Sequence, residues 1–263
     1  MSYLKSQFQI PWIDNVLNEL SVTERIFRII KIEHLEQMLN DNVSWFASPY
    51  KWPDQFDSLF LRSKAILSNG KDPVLIASHG YSDNYFCQCW CKKEGESDAM
   101  WRIYSPSNEN VMIVSTVDKV FDSIWNTEDE FIDINTFCGQ VKYVRKWEIE
   151  NKRYYVDSIA NPMIPDSNGT NIAKSILVKL DAYKHEEEVR FIVRNETVKH
   201  VGNKGILLPH VKPIKDIIDM IIIDPRNKGD SIQKVQALTT KFNFNPVVKS
   251  SDLYSSPNLQ FYV

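Results

Sequence analysis

Apolar and polar positions near the start of the chain change from a strand pattern to a helix pattern and back. The run from Arg25 to Ile32 is β-branched and aromatic, which favours a strand with Arg28 pointing off its core face. The segment from Glu33 to Leu39 carries apolar residues at helical spacing and is followed by the turn-forming run 40–42. Extended structure returns from Val43 to Ser48. The sequence predicts a strand, a short helix and a second strand.

The middle of the chain predicts several further strands and one helix. Apolar residues at helical spacing after Thr116 (Val120, Phe121, Ile124 and Trp125) predict a helix that begins near Thr116. The loop from Asn161 to Gly169 is rich in proline, asparagine and glycine, and we expect it to be mobile. The predicted strands are Tyr85–Cys91, Val111–Thr116, Gln140–Val144, Ile176–Leu180 and Val189–Val193.

The C-terminal third predicts a strand, a helix and a strand in succession. Ile217–Ile223 is apolar except for Asp219, Ser231–Phe242 has a helical pattern, and Pro246–Lys249 favours a short final strand. Two strands joined through a helix are usually parallel. The fold class we predict is α+β, with mixed, mostly antiparallel sheets flanked by helices. Residues 1–24 are expected to form an N-terminal helical arm, and residues 25–263 a single domain.

Composition limits the partners that the chain can attract. With 263 residues, of which 43% are hydrophobic, the chain can bury one sizeable core. A formal net charge of -3 gives no overall field for nucleic acid or anionic lipid. The sequence has no apolar stretch long enough to cross a bilayer and no apolar signal-peptide segment after Met1. We therefore expect a cytoplasmic protein without a membrane partner.

Three of the four cysteines lie two residues apart in one predicted strand. Strand alternation puts Cys87, Cys89 and Cys91 on the same face, where they are expected to pack as buried thiols. Metal sites more often use two cysteines separated by two residues in a turn. The five histidines show no paired spacing either, so no metal site is predicted. Phosphate-binding glycine loops and hydrolase nucleophile motifs are also missing.

Two segments carry charged residues in patterns that suggest a site. The loop 51–57 combines Trp52 with Asp54 and Asp57 and is too aromatic for a plain solvent-exposed connector. Glu186, Glu188 and Arg190 alternate, so in an extended segment all three would share one face, with Val189, Phe191 and Val193 on the core face. The charged face is then free to line a cleft.

Four segments together resemble a bacterial family catalogued as domain-of-unknown-function family 2971. The resemblance covers the chain from about Ile26 onward, and it departs from the expected pattern at Gln55, where proline would follow the loop aspartate. The family's layout is similar to that of ADP-ribosyltransferases. The segments are Phe27-Arg28, Ser48-Pro49 with Trp52, Asp54, Phe56 and Asp57, Met100–Ser105, and Glu186 with Glu188 and Arg190.

The resemblance implies NAD as a substrate and gives three residues a catalytic role. Arg28 would pair with the pyrophosphate, since a planar guanidinium can bind two phosphate oxygens. Tyr104 and Trp101 would stack on the cationic nicotinamide ring. Glu188 would stabilise the positive charge that forms on the ribose as nicotinamide leaves. A nucleotide is thus the expected small-molecule partner, whereas the macromolecular acceptor and the oligomeric state stay open.

Each of these residues also has a structural interpretation. Arg28 suits an ion pair at a strand end, Trp101 suits the core, and Asp54 and Asp57 suit loop-bracing hydrogen bonds. Two other functions are consistent with the sequence. One is a module that binds a nucleotide or peptide without catalysis. The other is a metal-dependent nuclease or hydrolase that uses the carboxylates of the two charged segments: Asp54, Asp57, Glu186 and Glu188.

Overall fold

The computed structural model describes residues 11–54, 56–57, 59, 65–68, 73–76, 84–92, 96–151, 168–195 and 204–256. For 65–68 and 73–76 the description covers the backbone alone. Most of the predicted mobile loop, residues 161–167, lies outside these ranges. None of the helices within them is long and apolar enough to cross a bilayer.

The described strands form one large sheet and two small ones. The large sheet runs in the order β1-β8-β11-β6-β2-β7-β13-β14, and β3 and β12 join it through β6. The small sheets are β4-β5 and β9-β10. The strands are β1 Val16–Leu17, β2 Arg25–Ile30, β3 Val43–Ala47, β4 Ala65–Ser68, β5 Pro73–Ile76, β6 Tyr85–Cys91, β7 Val111–Thr116, β8 Thr136–Gln140, β9 Lys142–Val144, β10 Val178–Leu180, β11 Glu188–Arg194, β12 Gly205–Pro209, β13 Met220–Ile223 and β14 Val247–Ser250.

Helices cover both faces of the large sheet. The described helices are α1 Ile32–Asp41, α2 Asp98–Tyr104, α3 Val117–Ile124, α4 Ile132–Asn135, α5 Lys146–Glu150, α6 Thr170–Ile176 and α7 Ser231–Lys241. Most strand pairs are antiparallel, and β13 and β14 pair in parallel through α7. The α+β class, the mostly antiparallel sheet and the C-terminal strand-helix-strand unit are therefore confirmed.

Alternating side chains divide the core between the two faces of the sheet. On one face, Val189, Phe191 and Val193 of β11 pack in the main cluster with α1, α3 and α7. On the other face lie two smaller clusters. One contains Ile192 of β11 and the residues of α6, and the other contains Trp101 of α2 and Met112 of β7. The interval between these two smaller clusters is where the chain leaves space for a site.

The N-terminal segment is mostly not helical in its described part. Only Ile13–Asn15 forms a turn of 3-10 helix, after which β1 pairs in parallel with β8 at the edge of the large sheet. Trp12 and Leu20 are buried in the main core cluster. An apolar segment next to an unpaired strand edge can satisfy its backbone hydrogen bonds there, which explains why a strand forms instead of the predicted helix.

Three other predicted elements differ from the observed ones. The strand predicted from Gln140 to Val144 is divided between β8, which ends at Gln140, and β9, which belongs to a small sheet. Ile176 ends α6, so the strand predicted from Ile176 to Leu180 begins only at Val178. Glu186 is not in the strand with Glu188 but ends a 3-10 helix, Asp181–Glu186. The chain turns at Glu187, which has φ 42°, and β11 begins one residue later. Glu186 and Glu188 therefore do not share a strand face, although they meet in space.

Candidate functional site

A cavity of about 730 Å³ opens where two strands diverge from one strand edge. One edge of β6 pairs with β11 along its full length, so β2 and β3 both pair with the opposite edge. β2 contacts it at Phe27 opposite Cys91, and β3 at Ala47 opposite Cys87. The wedge between β2 and β3 forms part of the cavity, which the loop at Trp52 and the helix α2 enclose further.

Arg28 lines this cavity without a described anionic partner. It follows the single β2–β6 pair, at the point where β2 leaves β6. Within the described residues its guanidinium has no hydrogen bond or ion pair. Burial lowers the pKa of the guanidinium to about 10. A guanidinium removed from water without a carboxylate is unfavourable unless an anion binds to it.

Glu188 belongs to a buried cluster of charged side chains at β11, on the other side of β6 from β2 and Arg28. Arg190, which is fully buried, donates from Nε and Nη2 to the two Glu188 carboxylate oxygens at 3.1 and 2.8 Å. Arg190 also pairs with Asp57 at 2.8 Å. Lys179 Nζ lies 2.6 Å from Glu186 Oε2, 3.3 Å from Glu188 Oε2 and 3.7 Å from Asp57 Oδ2. We call Asp57, Lys179, Glu186, Glu188 and Arg190 the ion cluster.

The close charges of the ion cluster shift the pKa values of Glu188 and Lys179 in opposite directions. Burial alone would raise the pKa of Glu188, but Arg190 and Lys179 outweigh burial and lower that pKa to about 2. Burial would lower the pKa of Lys179, yet Glu188 and Glu186 raise it above its ordinary value. Burial raises the pKa of Asp57, against the opposing charges of Arg190 and Lys179. Three carboxyl groups and two cations form the ion cluster, which lies across β6 from the strand that carries Arg28. The cavity thus has a guanidinium without a described partner on one side and the carboxyl-rich ion cluster on the other.

Tyr104 joins the ion cluster to the open part of the cavity. Its hydroxyl donates to Glu186 Oε1 at 3.0 Å, while 42% of the residue is exposed. Burial and then the charge of Glu186 raise the pKa of the phenol, so it remains a hydrogen-bond donor. The end of α2 is held by Asn110, which donates to the Tyr104 carbonyl at 2.7 Å, and by Arg226, which donates to the carbonyls of Trp101 and Ser105.

The loop that contains Trp52, Asp54 and Asp57 packs against Arg190. The Arg190 guanidinium lies 4.6 Å from the ring centroid of Trp52, a cation–π arrangement. Asp54 accepts the backbone N–H of Phe56 at 2.9 Å, the loop-bracing bond expected of this residue type. The second Asp54 oxygen, Oδ2, is buried and has no hydrogen-bond partner within the described residues. Trp52, Asp54 and Asp57 all line the cavity.

The cysteines of β6 form part of the cavity wall. Cys87, Cys89 and Cys91 share one strand face, as predicted, and that face borders the cavity. Cys87 is buried in a core cluster, as expected, whereas Cys89 and Cys91 are only partly buried. Burial raises the pKa of the Cys87 and Cys89 thiols, so both are protonated and unreactive. In the described part of the chain, no group of three or more histidine, cysteine or acidic side chains is arranged to hold a metal ion.

Trp101 does not line the cavity, although the sequence suggested a position beside a cofactor. It is fully buried in the cluster with Met112 and Val114, and its indole N–H donates to Glu96 at 3.1 Å. Trp101 lies in the middle of α2 and packs on the sheet, whereas Tyr104, the last residue of α2, reaches the cavity. The other predicted site residues, including Arg28, Tyr104 and Glu188, all lie at the cavity or in the ion cluster.

Sequence reasoning missed three residues of the site. Lys179 bridges three carboxylates, Tyr183 stacks under Lys179 at 4.7 Å, and Trp45 lines the cavity. Of the three, only Trp45 had a signal in the sequence. A tryptophan that alternates with the apolar core residues of a strand lies on the face of the strand opposite the core. Lys179 had no local signal, because its partners lie elsewhere in the sequence.

Comparison with known proteins gives a family match and distant structural likenesses. The chain is similar to Thermus sp. 2.9 DarT in complex with NAD+, with 12% identity, coverage of 88% of this chain and 96% of that chain, and a TM-score of 0.37. It is similar to the same protein in complex with ADP-ribosylated ssDNA, with 12% identity, coverage of 87% and 94%, and a TM-score of 0.38. TM-scores this low do not establish a shared fold.

No curated protein matches the sequence. The family described as "Protein of unknown function (DUF2971)" matches residues 100–191, which confirms the family resemblance of the motifs over this segment.

Proposed function

We propose that this protein is an NAD-dependent enzyme of the ADP-ribosyltransferase-like kind. The observation that supports the proposal best is the pairing of charges across one cavity. A desolvated Arg28 with no described anionic partner lies on one side, and the acidic ion cluster lies on the other. NAD has a matching distribution, with an anionic pyrophosphate and a cationic nicotinamide. The cavity volume of about 730 Å³ is also in the range usual for small-molecule sites.

In this proposal each side chain has one role. Arg28 binds two pyrophosphate oxygens and fixes the orientation of the dinucleotide. As the bond between ribose C1′ and the nicotinamide nitrogen breaks, its electron pair neutralises the departing ring and leaves positive charge on the ribose. The carboxylate of Glu188 stabilises that charge. Tyr104, with its hydroxyl on Glu186, lines the nicotinamide end. A nucleophile of the acceptor then bonds to C1′ and releases its proton.

The test is to incubate the purified protein with NAD and to measure released nicotinamide by chromatography. We expect wild type to release nicotinamide, and Arg28→Gln and Glu188→Gln to lose at least tenfold in rate, since the removed groups stabilise charge. Glu150→Gln, at an exposed position of α5, is the matched control. Arg28 is outside the ion cluster, so Arg28→Gln should remain folded even if Glu188→Gln does not. If wild type neither binds nor consumes NAD, the proposal is overturned.

A second candidate, a nucleotide-binding module without catalysis, is favoured by the hydrogen bonds that Glu188 already accepts. Arg190 and Lys179 already engage both oxygens of Glu188, which reduces what this carboxylate can offer to a ribose. Calorimetry separates the two functions, because a binding module would bind NAD with equal affinity in wild type and Glu188→Gln and release no nicotinamide. The metal-dependent alternative has no comparable support, since Lys179 and Arg190 occupy the space between its carboxylates.

A further inference from the structure

Trp45 is a large aromatic side chain with a free face at the cavity. It lies in β3, where its neighbours Ser44 and Phe46 are buried on the core side and Trp45 points to the opposite side. It lines the cavity, and 45% of the residue is exposed. Tryptophan exposed to this extent beside a cavity costs solvation free energy, which a ligand ring would recover.

The other described aromatic rings of the cavity already have partners. The Trp52 ring carries Arg190, the Tyr183 ring carries Lys179, and the Phe27 ring carries Arg25. Trp90 is buried, and its indole N–H donates to Gln88 at 2.8 Å. The Tyr104 hydroxyl donates to Glu186 at 3.0 Å, which ties that ring to the ion cluster. Within the described part of the chain, the Trp45 ring has neither a cation nor a ring nor a hydrogen-bond partner. Trp45 is therefore the described ring of the cavity that is not yet engaged and at which an additional planar group can stack.

The neighbouring strand holds Trp45 in place. β12 pairs with β3, and Gly205 is opposite Ala47, diagonal to Trp45. A Cβ added to Gly205 would lie 2.5 Å from Cζ2 of Trp45 and 2.3 Å from the carbonyl oxygen of Phe46. The ring thus lies against the β12 backbone in space that any side chain at position 205 would fill. A ring fixed before binding loses little conformational entropy when a ligand stacks on it.

We propose that Trp45 is the stacking platform for the planar heterocycle of a nucleotide whose phosphate binds Arg28. This inference rests on the proposed function for the choice of a nucleotide. Arg28 is on β2 and Trp45 on β3, the two strands whose divergence forms the wedge, so a ligand that contacts both spans it. The adenine and nicotinamide rings share the planar π-face that stacking needs, and the platform accepts one of them.

Calorimetry with three ligands that each represent a part of NAD tests the inference. ADP-ribose carries adenine, nicotinamide mononucleotide carries nicotinamide, and ribose 5-phosphate carries no aromatic ring. We expect Trp45→Leu to weaken one of the two ring-bearing ligands roughly ten- to hundredfold, Trp45→Phe to weaken it less, and both to leave ribose 5-phosphate within about twofold. Trp147→Leu, an exposed tryptophan of α5 outside the cavity lining, should change none of the three affinities.

Several results would overturn the platform. They are unchanged affinity of Trp45→Leu for both ring-bearing ligands, an equal loss for ribose 5-phosphate, or no binding of any of the three ligands to wild type. The inference and the proposed function fail separately. If ligand binding depends on Trp45 but wild type releases no nicotinamide, the proposed enzymatic function is wrong and the stacking role of Trp45 stands. If wild type releases nicotinamide but Trp45→Leu binds the ring-bearing ligands as tightly as wild type, the stacking role is wrong and the enzymatic function stands.

Discussion

Arg190 shows how one side chain can determine both the stability and the chemistry of the site. Replacing it with methionine leaves Glu188 and Asp57 buried without their main cation. We expect Arg190→Met to lower the free energy of unfolding by roughly 3 to 5 kcal/mol, the usual cost of breaking a buried ion pair on one side. Urea unfolding followed by circular dichroism measures it.

The matched control is Arg102→Met. Arg102 pairs with Asp98 at 2.8 Å at an exposed position, so water replaces the lost contact and the midpoint should barely move. Equal shifts for the two variants would mean that the ion cluster does not hold the wall of the cavity together.

His210 predicts a specific loss of stability in mild acid. Its ring nitrogens lie 2.8 Å from Ser123 Oγ and 2.7 Å from Ser44 Oγ. Burial, and then the charge of Arg28, lower its pKa from 6.5 to about 4. The unfolded chain therefore binds a proton between pH 6.5 and 4 that the folded chain does not. The stabilisation is complete above pH 6.5 and is lost as the pH falls to 4, by about 3 kcal/mol in total.

Urea unfolding at several pH values tests the role of His210. His210→Gln, which can keep both hydrogen bonds, should flatten the dependence of unfolding free energy on pH between 6.5 and 4. His34→Gln, at an exposed position of α1, should keep the wild-type slope. A wild-type slope in His210→Gln would assign the acid sensitivity to another group.

At the residue scale the sequence predicted much of the site, and the misses have physical causes. Arg28, Tyr104 and Glu188 line one cavity, and the first and last of them lie in strands. Lys179 was missed because a single lysine in a three-residue strand has no local pattern. Trp101 was assigned to the site by the family resemblance, and the segment 98–104 is too short for a helical period to show that Trp101 faces the core.

The N-terminal segment is the element whose contribution to stability we expect to be largest for its length. Trp12 is 2% exposed, packs edge-on against Phe121 at 5.0 Å and donates to Asp122 at 3.2 Å. Trp12→Ala should lower the free energy of unfolding by about 3 to 5 kcal/mol, since it removes a buried indole and leaves a cavity. Trp147→Ala, at 53% exposure, is the control and should change it little in urea unfolding. A loss for Trp12→Ala as small as that for Trp147→Ala would mean that the N-terminal segment adds little to stability.

At the element scale, strand patterns were predicted better than the ends of elements. The alternation of Val189, Phe191 and Val193 predicted that these residues share a buried face, and all three lie in the main core cluster. The same alternation failed at Glu186, because the chain adopts a left-handed conformation at Glu187 that sequence periodicity does not register. Both acidic residues still reach Lys179, since the 3-10 helix before β11 turns back toward β10.

For the whole molecule, ligand binding should appear as added stability. ADP-ribose at a hundredfold excess over its Kd should stabilise the folded state by about 2.7 kcal/mol and raise the Tm by roughly 5 to 10 °C. Arg28→Gln should abolish this shift at the same concentration because the phosphate loses its cation. Differential scanning fluorimetry measures both. A full shift in Arg28→Gln would show that the phosphate binds elsewhere.

The class of the fold followed from the sequence, but the order of its strands did not. β1 pairs with β8, β3 with β12 and β6 with β11, and each pair is separated by about a hundred residues or more of intervening chain. Apolar periodicity identifies which residues are buried and gives no information about which distant edge they join. The wedge that forms the cavity depends on that long-range order, so it was not predictable from local patterns.

Because β2 and β3 pair with the same edge of β6, the size of ligand that the cavity accepts can change without substitution of the residues that contact the ligand. The angle between β2 and β3 depends on how their reverse sides pack, where Ile26 and Phe46 are both fully buried. A bulkier or smaller side chain at either position would rotate one strand relative to the other and so open or narrow the mouth. Selectivity in relatives of this protein should therefore vary with interior residues as much as with those on the cavity surface.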